Sequence, residues 1–117
     1  MTTTEPPVAV DEIEFGSSGL VPVVSQDAET DEVLMVAFMN KHALEKTIET
    51  GDAWFWSRSR NELWHKGATS GNYLRVTSIS VNCEENSLLL RVRPEGPACH
   101  TGNRSCYYRD LDWSGSE

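Results

Sequence analysis

A chain of 117 residues with a formal net charge of −8 and 38% apolar residues has the size of one domain with one modest core. No apolar run approaches the roughly 18 residues a membrane span needs, and the acid excess argues against a nucleic-acid binder, whose affinity rests on Lys and Arg neutralising phosphates. Met1 to Glu14 lacks the basic start and apolar stretch of a secretory signal, so a cytoplasmic protein with reduced cysteines is expected.

In chain order, residues 1–12 are Thr- and Pro-bearing and weakly hydrophobic, which predicts a flexible arm ahead of a domain spanning 13–113, with a tail at 114–117. Gly19 to Ser25 is β-branched and predicts a strand, Gln26 to Asp31 a turn, and Val33 to Met39 a second, paired strand. Pro22 has no ladder donor, which favours an edge or a bulge there. Asn40 is a good N-cap, residues 41–50 carry helix formers with Leu44 and Ile48 one turn apart, and Gly51 suits a left-handed C′ position. This is the one main helix.

Ala53 to Ser57 reads as an aromatic strand, Ser59 to Glu62 as a turn, Leu63 to Lys66 as a return strand and Gly67 to Gly71 as a loop. In Tyr73 to Val81, Leu74 and Val76 share one parity while Ile79 and Val81 share the other. That slip predicts a bulge near Thr77 and Ser78. Ser87 to Arg93 follows as a strand with Leu88, Leu90 and Val92 inward, Pro94 to Pro97 as a turn, and Ser105 to Arg109 as a last strand. The fold class is a β-rich α+β single domain without internal repeats.

Charge is uneven along the chain. Residues 51–80 hold Arg58, Arg60, Lys66 and Arg75 against Asp52 and Glu62, so this third alone has a positive balance and could receive an anion. The three cysteines Cys83, Cys99 and Cys106 cluster in the last third. Free core thiols or a disulfide would account for them, but Cys99 and Cys106 sit in polar, turn-adjacent sequence. Three thiolates bind Zn²⁺ and leave a fourth position open for water, the layout of a catalytic zinc; His100 as a fourth ligand would make the site structural. A Cys₃ zinc also recurs among nucleobase deaminases, whose H-x-E and P-C-x-x-C signatures are missing here.

The stretch from Trp56 to Asn72, with Gly96-Pro97-Ala98-Cys99-His100-Thr101-Gly102 and Ser105-Cys106-Tyr107-Tyr108-Arg109, closely resembles the signatures of the phosphoribosyl-AMP cyclohydrolases, and the resemblance runs from about Gly19 to Arg109. It implies an intertwined homodimer in which Cys83, Cys99 and Cys106, drawn from both subunits, bind one zinc per subunit. It also implies a magnesium site. The family's three aspartates at alternate positions around the first cysteine fall here on Asn82, Glu84 and Asn86, two of them amides, so a weaker site is expected. If residues 82–86 are extended, these three share one face and Cys83 takes the other; a solvated hairpin turn is the alternative.

The implied reaction is zinc-dependent hydrolysis of the N1–C6 bond of the adenine ring of phosphoribosyl-AMP, a step of histidine biosynthesis. Another zinc-dependent nucleotide hydrolase or deaminase, or a non-catalytic module held by zinc, are the other readings. His65 and His100 are the available proton handlers, since His42 lies on the helix and should face solvent. Ser57, Arg58, Arg60, Lys66, Thr69, Ser70 and Arg104 are the candidate anchors for the two substrate phosphates.

Overall fold

The structure, a computed structural model, describes residues 6–113. Its strands are β1 (Val21–Asp27), β2 (Val33–Met39), β3 (Trp54–Ser57), β4 (Glu62–His65), β5 (Leu74–Val81) and β6 (Leu88–Pro94), and its helix is α1 (Lys41–Thr50). One sheet has the order β2-β1-β6-β5, with β1 and β6 parallel and the other neighbours antiparallel; β3 and β4 form a separate hairpin. This is the expected β-rich α+β domain with one main helix.

The helix begins and ends where its capping residues dictate. Asn40 accepts a hydrogen bond from the Ala43 amide, and Gly51 closes the last turn at φ 78°, a conformation cheap only for glycine. Ala43, Leu44 and Thr47 turn inward while Ile48, one turn from Leu44, is 54% exposed. Thr47 takes the inner place because its hydroxyl is fully used, donating to the Ala43 carbonyl (2.9 Å) and accepting from the Trp54 amide (3.0 Å). That bond fastens α1 to the start of β3. His42 is exposed, as its helix position predicts.

The central strands bury Val21, Val23, Leu34, Met39, Leu74, Leu88, Leu90 and Val92 around Phe55, each worth about 1.5–3 kcal/mol when removed from water. Leu88, Leu90 and Val92 face inward as their alternation predicts, and the register slips between Val76 and Ser78, where parity changes. Pro22 is not on an edge strand: β1 lies between β2 and β6. It is tolerated because pairing with β6 begins one residue later, at Val23 and Leu88.

Another expectation is corrected. Ser105 to Arg109 forms no strand; apart from Ser105 its residues are exposed, and it touches β2 only through isolated bonds, Ser105 Oγ to the Val33 carbonyl and the Cys106 amide to the Leu34 carbonyl. Of the two readings of residues 82–86, extended or a hairpin turn, the structure has the turn, with Glu85 at φ 59°. The shared face of 82, 84 and 86 therefore does not arise. Of the expected N-terminal arm, residues 1–5 lie outside the described residues, as does the 114–117 tail. Val10–Glu12 form a 3₁₀ turn, Val10 packs on the core, Ile13 is buried, and the Glu14 amide bonds to the Glu85 carbonyl at 2.7 Å. Among the described residues no helix is long and apolar enough to cross a membrane.

Candidate active site

The site is built where β4 runs into the 67–72 loop and meets the segment that follows β6. Gly67 makes the turn at φ 95°, and a Cβ there would lie 2.5 Å from the Tyr73 backbone nitrogen; only glycine fits. The loop closes on itself through the Gly71 amide and the Gly67 carbonyl (2.7 Å). Asn72 then lies against Gly96, whose missing Cβ would be 2.3 Å from Asn72 Oδ1.

Residues 98–104 form a tight loop. The Ala98 amide bonds to the Arg104 carbonyl and the Cys99 amide to the Asn103 carbonyl, both at 3.1 Å, and the Gly102 amide to the Cys99 carbonyl at 3.0 Å. Thr101 Oγ1 donates to Cys99 Sγ (3.0 Å), and Asn103 Nδ2 donates to Thr101 Oγ1 (2.8 Å). Lys66, buried at the end of the hairpin, spans to this loop and donates from Nζ to the Ala98 carbonyl at 2.6 Å.

Between these parts lies a pocket of about 450 Å³ lined by Arg60, Trp64, Lys66, Gly67, Thr69, Ser70, Asn72, Pro97, Cys99, His100 and Gly102. Cys99 lines this pocket, and Cys106 lies close enough for each sulfur to perturb the ionisation of the other. Their environments pull them apart: bonds from the Thr101 hydroxyl and amide hold Cys99 below the usual thiol value, while partial desolvation of its sulfur, in an otherwise exposed residue, and the neighbouring Cys99 push Cys106 up. Burial lowers the Lys66 ammonium, partly offset by the two sulfurs. Two neighbouring cysteines with a lysine beside them are a donor set that can hold a thiolate-preferring cation.

The structure brings together Arg60, Lys66, Thr69, Ser70, Cys99 and His100, with Cys106 near Cys99. It leaves others outside the pocket. Ser57 and Arg58 line a neighbouring groove with Val36, Phe38 and Trp56, and the Arg58 guanidinium stacks 3.9 Å over Phe38. Arg104 is engaged by Asp27 and Glu32. His65 points to the opposite face of β4, stacked on Trp54 (4.3 Å, 8° between planes), with Nε2 3.3 Å from Asp52 Oδ2. Asp52 also binds Arg75 at 2.7 Å; burial raises its pKa, but Arg75 and His65 outweigh that and hold it low.

Cys83 sits exposed in the 82–86 turn, away from the other two cysteines, and all three are free thiols. In that turn Asn82 Oδ1 accepts from the Asn86 and Ser87 amides, and Asn82 Nδ2 donates to Asn86 Oδ1; Glu84 is exposed. Among the described residues of one chain, no three His, Cys, Asp or Glu side chains converge as a metal-binding group. Asp52 and Asn72 were not among the candidates read from sequence. Asp52 precedes His65 by 13 residues, a spacing with no local meaning, while Asn72 lay inside the quoted motif and its polarity at the end of a glycine loop was the available signal.

The fold and site define a small α+β protein with a polar, thiol-bearing pocket of the kind that binds and transforms a charged small molecule. The family model of phosphoribosyl-AMP cyclohydrolase matches residues 35–108. A phosphoribosyl-AMP cyclohydrolase of Clostridium botulinum is 60% identical over 94 residues, covering 80% of this chain and 86% of the relative. One from Pelotomaculum thermopropionicum is 49% identical over 110 residues, covering 94% and 85%. The histidine biosynthesis bifunctional protein HisIE of Halalkalibacterium halodurans is 51% identical over 102 residues, 87% of this chain and 48% of that protein. The chain belongs to the phosphoribosyl-AMP cyclohydrolase family, hydrolases of histidine biosynthesis.

Proposed function

We propose that the protein acts in the cytoplasm as a zinc-dependent homodimer that hydrolyses the N1–C6 bond of the adenine ring of phosphoribosyl-AMP. The observation that supports the zinc reading is the division of the cysteines: Cys99 lines the pocket with Cys106 near it, both as free thiols, and Cys83 is a free thiol exposed on a turn elsewhere in the same chain. Cys99 and Cys106 fit a thiolate-preferring metal, and Cys83 of a second, intertwined subunit would complete the set. Zinc bound there supplies Lewis acidity that makes water a competent nucleophile near neutral pH.

The chain's own residues do the rest. Water's oxygen adds to C6, the N1–C6 bond breaks, and N1 leaves with a proton; His100, which lines the pocket, would take and return that proton. Lys66, Arg60, Thr69 and Ser70 present donors to the substrate's phosphates. His65 faces away from this pocket in its own chain, and Ser57 and Arg58 would contribute from the adjoining groove. Magnesium at Asn82, Glu84 and Asn86 would be held weakly, mainly through the phosphates of the substrate, since amides bring no charge to a hard cation.

The test is turnover. Purified protein with zinc, incubated with phosphoribosyl-AMP, should change the ultraviolet spectrum as the purine opens, and His100→Ala should lower the rate while zinc content stays near one per subunit. Deamination of AMP without opening of phosphoribosyl-AMP would favour a different zinc hydrolase. Full turnover in zinc-free protein would end the metal reading.

A further inference from the structure

Asp27, the last residue of β1, is a buried carboxylate with both oxygens in use. Its Oδ1 accepts from the Glu29 (2.8 Å) and Thr30 (3.2 Å) amides, and its Oδ2 accepts from Arg104 Nη2. Burial pushes this carboxyl up, but the two amides and Arg104 outweigh it and hold it ionised. Arg104 Nε donates to Glu32, so one guanidinium bridges both ends of the turn between β1 and β2. The partners are 77 and 72 residues away in sequence.

The backbone at Arg104 and the two residues after it give this bridge its meaning. The Arg104 carbonyl closes the loop that carries Cys99 by accepting from the Ala98 amide, Ser105 Oγ donates to the Val33 carbonyl at 2.7 Å, and the Cys106 amide donates to the Leu34 carbonyl at 2.7 Å. Three consecutive residues thus tie an irregular segment to the β1–β2 end of the sheet, at the second thiol itself. A segment without a ladder of its own takes its geometry from such ties. β1 is an interior strand, so the anchor point is rigid.

We infer that Asp27 and Arg104 form a latch that sets the spacing of the Cys99 and Cys106 thiols, which makes both of them positioning residues. This rests on the reading of those thiols as zinc ligands. It also takes Arg104 out of the phosphate anchors: its fork is spent on two carboxylates and it does not line the pocket. The function of the pair is to present two sulfurs at one separation, the task that supporting partners perform around metal ligands.

The test compares Arg104→Ala, Arg104→Lys, Asp27→Asn and Glu32→Gln in the full-length protein. Three quantities are measured: zinc affinity against a competing chelator, KM and kcat for phosphoribosyl-AMP, and the rates at which iodoacetamide alkylates each cysteine of the zinc-free protein. Arg104→Ala and Asp27→Asn should each weaken zinc binding about tenfold or more and lower kcat, with KM within about twofold. Arg104→Ala combined with Asp27→Asn should be no worse than either substitution alone. Arg104→Lys should recover only part, because an ammonium cannot bridge both carboxylates in the plane of a fork. Cys99 and Cys106 alkylation should change while Cys83 alkylation does not. Glu32→Gln, at an exposed carboxylate, keeps the fold and should give the same changes at smaller size.

A raised KM in Arg104→Ala, with zinc affinity and all alkylation rates unchanged, would overturn the latch and return Arg104 to the phosphate. Should the wild type bind no zinc, the zinc reading fails by itself. The alkylation rates of the zinc-free proteins then still decide whether the latch sets the thiols.

Discussion

Cys83 sits in a turn closed by its own neighbours, Asn82 reaching across to the Asn86 and Ser87 amides four and five residues on. Cys99 and Cys106 sit in a segment closed by distant ones: Lys66 at Ala98, Asp27 and Glu32 at Arg104, and the Val33 and Leu34 carbonyls at Ser105 and Cys106. The two kinds of support suit two tasks. On the proposed reading, in which Cys83 is a ligand for a second subunit, it would have to stand clear of its own fold on a stiff, local turn. A ligand pair at a pocket must be placed relative to the walls of that pocket, which only long-range ties can do.

The largest expected effect tests the two cysteine regions directly. Cys99→Ser and Cys83→Ser should each lower turnover at least about 100-fold, because a hydroxyl is a much poorer zinc ligand than a thiolate. They should differ in everything else. Cys83→Ser should leave the alkylation rates of Cys99 and Cys106 unchanged in zinc-free protein dissociated into single chains, since its turn does not touch them within one chain. Refolded together, the two inactive chains should regain part of their activity, because some mixed dimers hold one intact site. No recovery despite demonstrated subunit exchange would place all ligands in one chain and erase the distinction between the regions.

Next in size is Gly67→Ala, at the hinge between hairpin and pocket. The left-handed backbone and the Tyr73 nitrogen 2.5 Å from the new Cβ should cost on the order of 2–4 kcal/mol, read as a shift in the denaturation midpoint. Turnover per folded molecule should fall too, because Thr69, Ser70 and Asn72 follow the same turn. A stable, fully active variant would mean that the loop tolerates another path and does not set the pocket wall.

The same contrast of local and distant support explains what could be read from sequence. Asn40, Gly51 and the Leu88, Leu90 and Val92 alternation act within a few residues, so α1 and β6 were legible, and the parity slip located the bulge by Thr77. Which residues of α1 face inward was not legible: Leu44 and Ile48 have helical spacing, but the inner position goes to Thr47, whose hydroxyl is satisfied by the Ala43 carbonyl and the Trp54 amide. The strand expected at Ser105 failed for a similar reason: its ties to Val33 and Leu34 are single bonds across 72 residues, and no residue pattern announces them. In the pocket, Arg60, Lys66, Thr69, Ser70 and His100 were found through motif resemblance and residue chemistry. Outside the pocket, the Asp52 contacts and the Asp27–Arg104 pairing were not legible, since nothing local links their numbers.

A smaller effect is expected on the face of β4 that turns away from the pocket. Asp52 has a depressed pKa in the folded state, with Arg75 and His65 as the causes that outweigh burial. Its contribution to stability is therefore complete above its unfolded value of 3.8 and is lost as pH falls through the lower folded value. Asp52→Asn should cost about 1 kcal/mol near pH 7, Arg75 being partly exposed and screened, and the gap from wild type should close below that unfolded value. kcat should stay within about twofold, because His65 does not face the pocket. A large loss of kcat would bring His65, and with it the second face of β4, into the chemistry.

The smallest effect belongs to the Cys83 turn. Asn82→Asp keeps the two bonds accepted from the Asn86 and Ser87 amides, since a carboxylate accepts as well as an amide oxygen does, and loses only the donation from Nδ2 to Asn86 Oδ1 at 2.7 Å. Adding Asn86→Asp replaces that donor–acceptor pair with two facing carboxylates. The exposed turn should lose roughly 1 kcal/mol, a Tm drop of about 4–8 °C. Magnesium reverses the sign, because a hard cation between two carboxylates replaces the lost donor and adds charge neutralisation. Millimolar magnesium should thus restore the Tm of the double variant while leaving the wild type unchanged, and should activate the variant at a lower concentration in a turnover titration. If the Tm of the double variant ignores magnesium and the activation midpoint does not move, the cation does not bind at Asn82 and Asn86. The turn is then only a local scaffold for Cys83.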